Sequence, residues 1–288
     1  EMVKVLCNMP CSGDALWEYA KFGDPESRNE QHEKTEAAYA QLRFSYDKWR
    51  YPLDGNVGLR VVSTDMSAKG YLLFSPPNAS NIPGVPQIAP LSSQTIFHNS
   101  YTNVLPSLNL RMKAGDQLQF RAAFSKGIAR PEFYQMQAYT TLSQNLHTHT
   151  DPATQAVVVD SIDYTGSGVG NPQLKPTRST NFDLTAEYYF GHGNQLTLAL
   201  FNKRLSDIII NKTSTVTLND TTGQPHDFAV TSPVNGASGR ASGAEIGYQQ
   251  YFDKLPGILS GLGVAANYTY IDSHQDLGKP LVQVWCTP

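Results

Sequence analysis

The sequence lacks the long apolar runs that cross membranes as helices. No stretch approaches the roughly 18 consecutive apolar residues that such a helix needs. The formal net charge is -3 over 288 residues, so no general basic field for nucleic acid exists. A membrane β-barrel is not excluded, because half of each barrel strand is polar. The 15 tyrosines, 12 phenylalanines and 22 glycines suit a β-rich chain with many turns.

Cysteine is also scarce, with three in the chain. Cys7 and Cys11 are close enough in sequence to close a small disulfide in an oxidising compartment. The same spacing suits half of a metal site, but no second ligand pair follows. Cys286 has no evident partner. The first residues show no basic stretch followed by a long apolar run, so we predict no signal peptide and expect both ends to be cuts.

Apolar residues alternate with polar or small ones along most of the chain. In the stretch GAEIGYQQYFDKLPGILSGLGVAANYTYIDS at 243–273, the even positions from Leu262 to Tyr270 are apolar or aromatic. Such a period of two places one apolar and one polar face along a strand. Eight segments follow this rule and are predicted to be strands: 36–46, 56–64, 104–112, 117–124, 181–190, 195–203, 243–252 and 259–271.

The connections between these segments alternate in length. Short turns with glycine or proline join strands one and two, three and four, five and six, and seven and eight. The other links, 65–103, 125–180 and 204–242, are far longer than usual in compact domains. This alternation predicts an all-β fold, an antiparallel up-and-down transmembrane β-barrel with periplasmic turns and long extracellular loops.

A soluble β-sandwich is the alternative, because its strands alternate in the same way. The predicted segments run about nine to twelve residues, which is long for soluble strands and close to the span of a membrane strand. Aromatic residues also gather beside the short turns, as Tyr46 and Trp49 do, where an aromatic girdle is expected. Both features favour the barrel.

The charged residues fix the register of the strands. A slip of one residue would turn five cations to lipid, at roughly 2–4 kcal/mol each near the midplane, or about 10–20 kcal/mol in all. This equals or exceeds the stability of a typical domain. We therefore predict that the charged face lines the lumen. The predicted lumen-facing residues are Arg43, Arg60, Arg111, Arg121, Asp183, Glu187, Lys203 and Glu245.

Several motifs resemble the barrel of TonB-dependent outer-membrane receptors, in the order and at the intervals typical of that family. The motifs are FSKGIARPEF (124–133), GNPQLKPTRSTNFDLTAEYYF (170–190), the 243–273 stretch, LDGNVGLRVVSTD (53–65) and SYTNVLPSLNLRMKAGDQLQFRAAFSK (100–126). The likeness covers 33–273 and is strongest to the branch often linked to carbohydrate uptake. It implies a 22-stranded barrel around a plug, and active import driven by the TonB-ExbB-ExbD complex.

The resemblance also implies which parts of such a receptor are present. We count eight strands of a larger barrel and expect residues 1–33 to be an extracellular loop region, 34–272 a partial barrel, and 273–288 the start of a truncated loop. The plug that TonB contacts is expected to be absent from this sequence. The implied place is the outer membrane of a Gram-negative bacterium, in contact with its lipid.

The implied function is energy-coupled uptake of a scarce nutrient, either an oligosaccharide or an iron chelate. A passive outer-membrane porin or an adhesin barrel is the alternative, and would have no plug. An outer-membrane enzyme would need a nucleophile and a base at one strand end, and no such pair or phosphate loop stands out. We therefore predict no enzyme, no cofactor and no nucleic-acid partner.

Aromatic residues of the long links are the candidate ligand contacts, because rigid rings near polar groups stack on sugars and chelates. His147, His149 and Asp151 are residue types that bind metal ions, but a solvated loop is the favoured interpretation of this stretch. Arg130 and Pro131 are expected to fix the path of the chain. The candidate ligand residues are Phe133, Tyr134, Tyr139, Tyr164, Tyr71, Phe74 and Phe97.

Overall fold

Ten strands make up nearly all of the computed structural model, which describes residues 26, 28–77, 82–168 and 170–277. Cys7, Cys11 and Cys286 lie outside these residues, so the possible disulfide stays a prediction. No helix among the described residues has the length and apolar character to cross a membrane. The strands are β1 (Glu30–Tyr46), β2 (Leu53–Phe74), β3 (Leu91–Lys113), β4 (Leu118–Ala129), β5 (Thr140–Thr150), β6 (Val157–Gly168), β7 (Thr177–Tyr189), β8 (Gln195–Asn219), β9 (Pro225–Tyr251) and β10 (Gly263–Asp276).

The strands form one mostly antiparallel sheet whose hydrogen bonds close into a ring. The order is β1-β2-β3-β4-β7-β8-β9-β6-β5, β5 pairs back onto β2, and β10 pairs with β9. The two pairings that close the ring are parallel and only three residues long, at 72–74 with 140–142 and at 165–167 with 229–231. The β5–β6 hairpin therefore bridges two strands that are far apart in the main sheet.

The structure confirms the all-β antiparallel fold and adds two strands, β5 and β6, to the eight that were predicted. Each of the eight predicted segments coincides with a strand, although residues 259–262 precede β10 and belong largely to a 3₁₀ turn, Gly257–Gly261. The four short turns are where the alternation placed them. The long links are mostly strand rather than loop, because β2, β3, β8 and β9 continue well past their predicted ends. The link 125–180 contains a hairpin of its own, β5 and β6.

One face of the sheet carries a continuous band of exposed apolar side chains. Residues opposite each other on neighbouring strands share a face, and Phe120 faces Ala186, which faces Leu198, which faces Ile246. Leu198 and Ile246 are 41% and 46% exposed. Apolar patches this large on a protein surface mark contact with lipid or a partner. We call this face the outer face, and the opposite one the inner face.

Strand β2 changes its apolar face partway along its length, without a break in register. Near the short turn, Val57 and Leu59 lie on the outer face and Arg60 on the inner face. Farther along, the outer face carries Asp65 and the inner face buries Met66. Pairing with β1 and β3 is continuous through this change. The strand thus passes from a band with an apolar outside to a region with an apolar inside.

A hydrophobic core fills the end of the ring that lies away from the short turns. One cluster joins Phe74, Ile88, Leu142, Phe228 and Val230, with the Phe74 and Phe228 rings edge to face at 5.5 Å. A second cluster joins Met66, Ala68, Met136 and Ala138. Both clusters need the link between β4 and β7, which brings β5, β6 and residues 131–139 against the main sheet.

Residues 170–176 lie across the inner face and tie β3 to β9. The Asn99 side-chain amide donates to the carbonyls of Pro172 (3.1 Å) and Leu174 (3.0 Å). On the other side, the Asn235 side chain accepts from the Lys175 amide (2.7 Å) and donates to the Lys175 carbonyl (2.8 Å). Leu174 is fully buried. This segment therefore closes over β4, β7 and β8, which lie between β3 and β9 in the sheet.

We predict that Gly70→Ala loosens the link between β4 and β7. A Cβ atom at Gly70 would lie 1.7 Å from the Ala138 carbonyl oxygen, so the backbone of residues 131–139 must move away. Limited proteolysis should cut this segment faster in the variant. Gly247→Ala is the matched control, since its Cβ atom would meet nothing closer than Thr197 at 3.9 Å. Equal resistance of both variants would contradict the close contact.

We also predict opposite effects for arginine at two adjacent positions of β8. Leu198→Arg places a charge in the apolar band. It should lower the free energy of unfolding by roughly 2–4 kcal/mol if the residue lies near the midplane of the membrane. Ala199→Arg places the same charge on the inner face and should cost far less. Denaturant titration of the complete receptor folded into lipid vesicles measures both changes. A larger loss at Ala199 than at Leu198 would reverse the assignment of the faces.

Candidate functional site on the inner face

All eight residues predicted to face the lumen lie on one face of the sheet. The pairings carry this face from strand to strand: Arg111 faces Arg121, which faces Thr185, and Gln119 faces Glu187. Strands β1, β2, β8 and β9 continue the same face. The register therefore places these charges together, opposite the apolar band. Their contact with a lumen remains a prediction.

Ion pairs organise the inner face near the short turns. The Arg111 guanidinium donates to both carboxylate oxygens of Asp54, from Nε at 3.1 and 3.0 Å and from Nη2 at 2.8 Å. Arg121 Nε donates to Glu187 at 2.8 Å, and the Tyr189 hydroxyl donates to the same carboxylate at 2.6 Å. These charge-assisted bonds fix the planes of both guanidinium groups. Asp183 and the two arginines line a polar cavity of about 410 Å³.

Other charges of the inner face have no ion-pair partner among the residues that the structure describes. They lie on five different strands, and each remains open to water or to a protein that fills the interior. These residues are Arg43, Arg60, Asp183, Lys203 and Glu245. Because both signs are present, the face offers complementary positions for a polar partner rather than for one ion.

A cleft lies where β4 ends, beside the start of β1. Its cavity of about 610 Å³ is lined by Glu33 and by residues 130–134. The Arg130 guanidinium reaches across the sheet to pair with Glu33 and to donate to the Thr35 hydroxyl at 2.8 Å. The Glu33 side chain is only 12% exposed. The arginine is thus held in place by its partners, with its charge balanced.

Two aromatic rings form the open wall of this cleft. Phe133 and Tyr134 are 59% and 57% exposed and sit in a 3₁₀ turn, Phe133–Met136. The Glu132 amide donates to the Gln135 side chain at 3.0 Å, which closes a reciprocal capping box and stiffens the turn. Met136, in the last position of the turn, is buried. The turn therefore presents rigid aromatic surface anchored by a buried side chain.

The other predicted ligand aromatics have different surroundings. Phe74 is buried in the core, so its ring has no face free for a ligand, and we remove it from the candidates. Tyr71 is also buried, and its hydroxyl accepts from Gln94 at 2.6 Å. Phe97 packs against the cluster of Met66, and Tyr164 packs on the Phe228 ring at 5.2 Å.

Tyr139 is half-buried and lies just before β5, outside the cleft residues. Only Phe133 and Tyr134 of the seven candidates line that cleft. The remaining five are core or wall residues, because the link 65–103 is largely part of β2 and β3, and the link 125–180 folds onto the sheet instead of projecting from it.

The histidines of the β5–β6 hairpin bind aspartates rather than gathering around a metal position. His147 Nε2 lies 2.8 Å from Asp163, and His149 Nδ1 lies 2.7 Å from Asp160. Asp151 accepts the amides of Ala153 and Thr154, and these bonds lower the pKa of its carboxyl group. Within the described residues, no group of three or more such side chains could hold a metal ion.

The tip of the β8–β9 hairpin is locked by one carboxylate. Asp220 accepts from the Thr222 hydroxyl at 2.6 Å and pairs with His226 at 3.1 Å, and it also accepts two backbone amides. These bonds, the hydroxyl first, hold the pKa of Asp220 well below its usual range. The His226 ring lies 5.0 Å from Tyr164. The tip of the hairpin therefore contacts the core through Tyr164, which also packs on Phe228.

Sequence reasoning missed Glu33 as part of the cleft. It assigned this residue to a loop, although β1 begins three residues earlier. The signal that could have found it is the alternation itself, because Glu33 has the same parity as Tyr39 and Arg43 and so shares the inner face with them. Its pairing with Arg130 joins residues 97 positions apart, which no local pattern reports.

Comparison with known families now identifies the class of this fold. Residues 13–284 match the family described as TonB dependent receptor-like, beta-barrel. The chain belongs to this family, whose members are outer-membrane β-barrels of Gram-negative bacteria that bind small molecules and work with TonB. They are transporters and receptors rather than enzymes.

Solved structures with a similar arrangement include a siderophore receptor and a hemophore receptor. The siderophore receptor PirA from Acinetobacter baumannii is 15% identical, with a TM-score of 0.44 over 84% of this chain and 37% of that one. For the hemophore receptor HasR from Serratia marcescens the values are 14%, 0.44, 83% and 34%. The chain thus spans little more than a third of these receptors. No curated protein matches the sequence.

Proposed function

We propose that this chain is part of a TonB-dependent importer that takes up a scarce nutrient across the outer membrane. The observation that carries the proposal is the division of the sheet into two faces. The outer face offers lipid an apolar band, whereas the inner face collects eight charged residues on seven strands. A porin wall has the same division, but here residues 170–176 and the β5–β6 hairpin close over the inner face at one end.

The unpaired charges of the inner face support a plug domain as their partner. Four of these charges have no ion-pair partner in the described structure. Arg43 and Arg60 lie on β1 and β2, and Lys203 and Glu245 lie on β8 and β9. Unpartnered charges of both signs are costly beside a dry interior but suit a polar surface that fills the barrel. We propose that such a plug links this wall to the TonB-ExbB-ExbD complex.

Further strands are also required by this proposal. β1 and β10 each pair on one side only within the described residues, over 17 and 14 residues. Backbone groups cannot remain unpaired in a bilayer, so a membrane-spanning sheet must continue past both strands. The chain therefore supplies one part of a larger barrel wall.

The cleft beside Arg130 supports a ring-bearing cargo with little net charge. Its charged groups are one arginine and two glutamates, Glu33 and Glu132, and the arginine is already neutralised. A strongly anionic chelate would meet an excess negative charge there. A sugar can stack on Phe133 and Tyr134 and hydrogen-bond to the carboxylates, so an oligosaccharide suits the cleft better than an anionic iron chelate.

Energy coupling is the property that separates an importer from a passive pore. Cells that carry the complete receptor should lose uptake of a labelled oligosaccharide when a protonophore collapses the inner-membrane gradient. Binding of the same sugar to the cell surface should persist, because binding needs no energy. Uptake that continues after the protonophore would show a passive barrel and would overturn the proposed mechanism.

We predict that removing both aromatic rings of the cleft weakens the binding of the cargo. Stacked aromatic contacts contribute about 0.5–1.5 kcal/mol each, so Phe133→Ala with Tyr134→Ala should raise Kd by roughly five- to 150-fold. Tyr268→Ala is the control, since this ring is 66% exposed on the outer face. Equilibrium binding of labelled oligosaccharides measures the change, and an unchanged Kd would remove the cleft as the binding site.

A further inference from the structure

A row of cations crosses the outer face at the far end of the apolar band. Lys126 on β4 faces Thr180 on β7, which faces Arg204 on β8, and Arg204 directly faces Arg240 on β9. We call Lys126, Arg204 and Arg240 the basic row. All three side chains are exposed, and neither Lys126 nor Arg204 has an ion-pair partner in the described structure.

The two arginines of the row stand in an unfavourable arrangement. Like charges directly opposite each other on antiparallel strands destabilise the pair. Arg240 makes one weak contact, to the Ser242 hydroxyl at 3.4 Å, and this does nothing to balance the charges. An anion held between the two guanidinium groups would remove the repulsion and would receive bidentate hydrogen bonds.

The groups around the row leave its charge largely uncompensated. On the edge side, Arg240 faces His274, and Asp272 lies one row lower on β10. On the other side, Arg178 lies one row higher and approaches Asp207 only at 3.9 Å. Asp276 lies one row higher on β10. These carboxylates sit at the margins of the row, and none reaches its three cations within ion-pair distance.

The opposite half of the outer face is built differently. There Lys34 pairs with Glu36 at 2.8 Å, and Lys69 pairs with Glu30 at 3.9 Å. Both lysines beyond the apolar band on β1 and β2 are therefore balanced by carboxylates, and Asp65 opposite Lys34 adds a further negative charge. The excess of cations is local to β4, β8 and β9, so a general enrichment of surface charge does not explain it.

The position of the row identifies its partner. Leu200 lies four residues from Arg204 on the same face of β8, about 13 Å along the strand, and belongs to the apolar band. The row lies at the end of the band away from the short turns, which is the extracellular end of such barrels. A molecule that covers both must have an apolar part in the membrane and an anionic part at its outer surface.

We propose that the basic row binds the phosphorylated headgroup of an outer-leaflet lipid, whose acyl chains lie on the apolar band beside it. Clusters of Lys and Arg at a membrane surface recognise anionic lipids in this way. The site lies outside the barrel, distinct from the cargo cleft. It rests on the proposed placement of the sheet in the outer membrane.

The test uses the complete receptor, extracted from outer membranes in mild detergent and stripped of lipid. Diphosphorylated lipid A is titrated against it, with dephosphorylated lipid A as the matched lipid. Each cation near such a surface contributes about fivefold, so replacing three (Lys126→Gln, Arg204→Gln and Arg240→Gln) should weaken binding by about a hundredfold. Dephosphorylated lipid should bind the parent protein as weakly as diphosphorylated lipid binds the variant.

A matched control removes the same charges from the other face. Arg43→Gln, Arg60→Gln and Lys203→Gln also replace two arginines and one lysine, and should leave the affinity for lipid A unchanged. Arg204→Lys with Arg240→Lys should retain most of the binding. Equal loss in both triple variants, or no loss in the first, would overturn the proposal.

Three further outcomes separate this site from its alternatives. Full competition by millimolar inorganic phosphate would assign the row to a free anion instead of a lipid and would overturn the proposal. The parent receptor could show no energy-coupled uptake and still bind diphosphorylated lipid A more tightly than dephosphorylated lipid A. That result would reject the proposed transport function alone. A receptor that never reaches the outer membrane would overturn both.

Discussion

The rest of this structure depends on the alternation of side chains along hydrogen-bonded strands. Once the ladder between two strands is set, every residue is committed to one face or the other. The register carries this commitment across β1, β2, β3, β4, β7, β8 and β9, so that eight charges gather on one face. A slip of one residue would exchange the faces at a cost comparable with the stability of a whole domain. The sheet therefore has one register that is compatible with lipid.

The membrane part of the fold was predictable because its signal is local. A period of two is visible in a window of nine residues, and charge on one face identifies the side away from lipid. The extensions of β2, β3, β8 and β9 were not predictable in this way. The extensions of β3, β8 and β9 are rich in Ser, Thr and Asn, which are typical of turns. All four extensions stay extended because β2 pairs with β3, and β8 with β9, along their whole length. Pro233 lies inside β9, opposite Asn211, with Asn171 donating to its carbonyl at 3.1 Å.

The candidate site divides along the same line. Phe133 and Tyr134 could be chosen from sequence as exposed rings in a connection, and they line the cleft. Phe74 and Phe97 have the same composition around them, but the β5–β6 hairpin buries Phe74, and Phe97 is half-buried against a cluster that includes Met136 and Ala138. Whether a ring binds a ligand or fills a core depends on what packs over it, and that contact joins segments tens of residues apart. Glu33 escaped for the same reason, since its partner Arg130 comes from another strand end.

The apolar side chains of β2 change from the outer face to the inner face partway along the strand. Where its outer residues are Val57 and Leu59, the inner face is polar; where the outer residues are Asp65 and Lys69, the inner face buries Met66 and Ala68. No bulge separates the two parts, and the pairing of the backbone continues unchanged between them. The change is therefore in the side chains alone. The sheet thus leaves the apolar medium at this level, and beyond it the protein needs a core of its own. The link between β4 and β7 supplies that core, which is why it folds inward over the same face that carries the charges, and why the cleft opens at its margin.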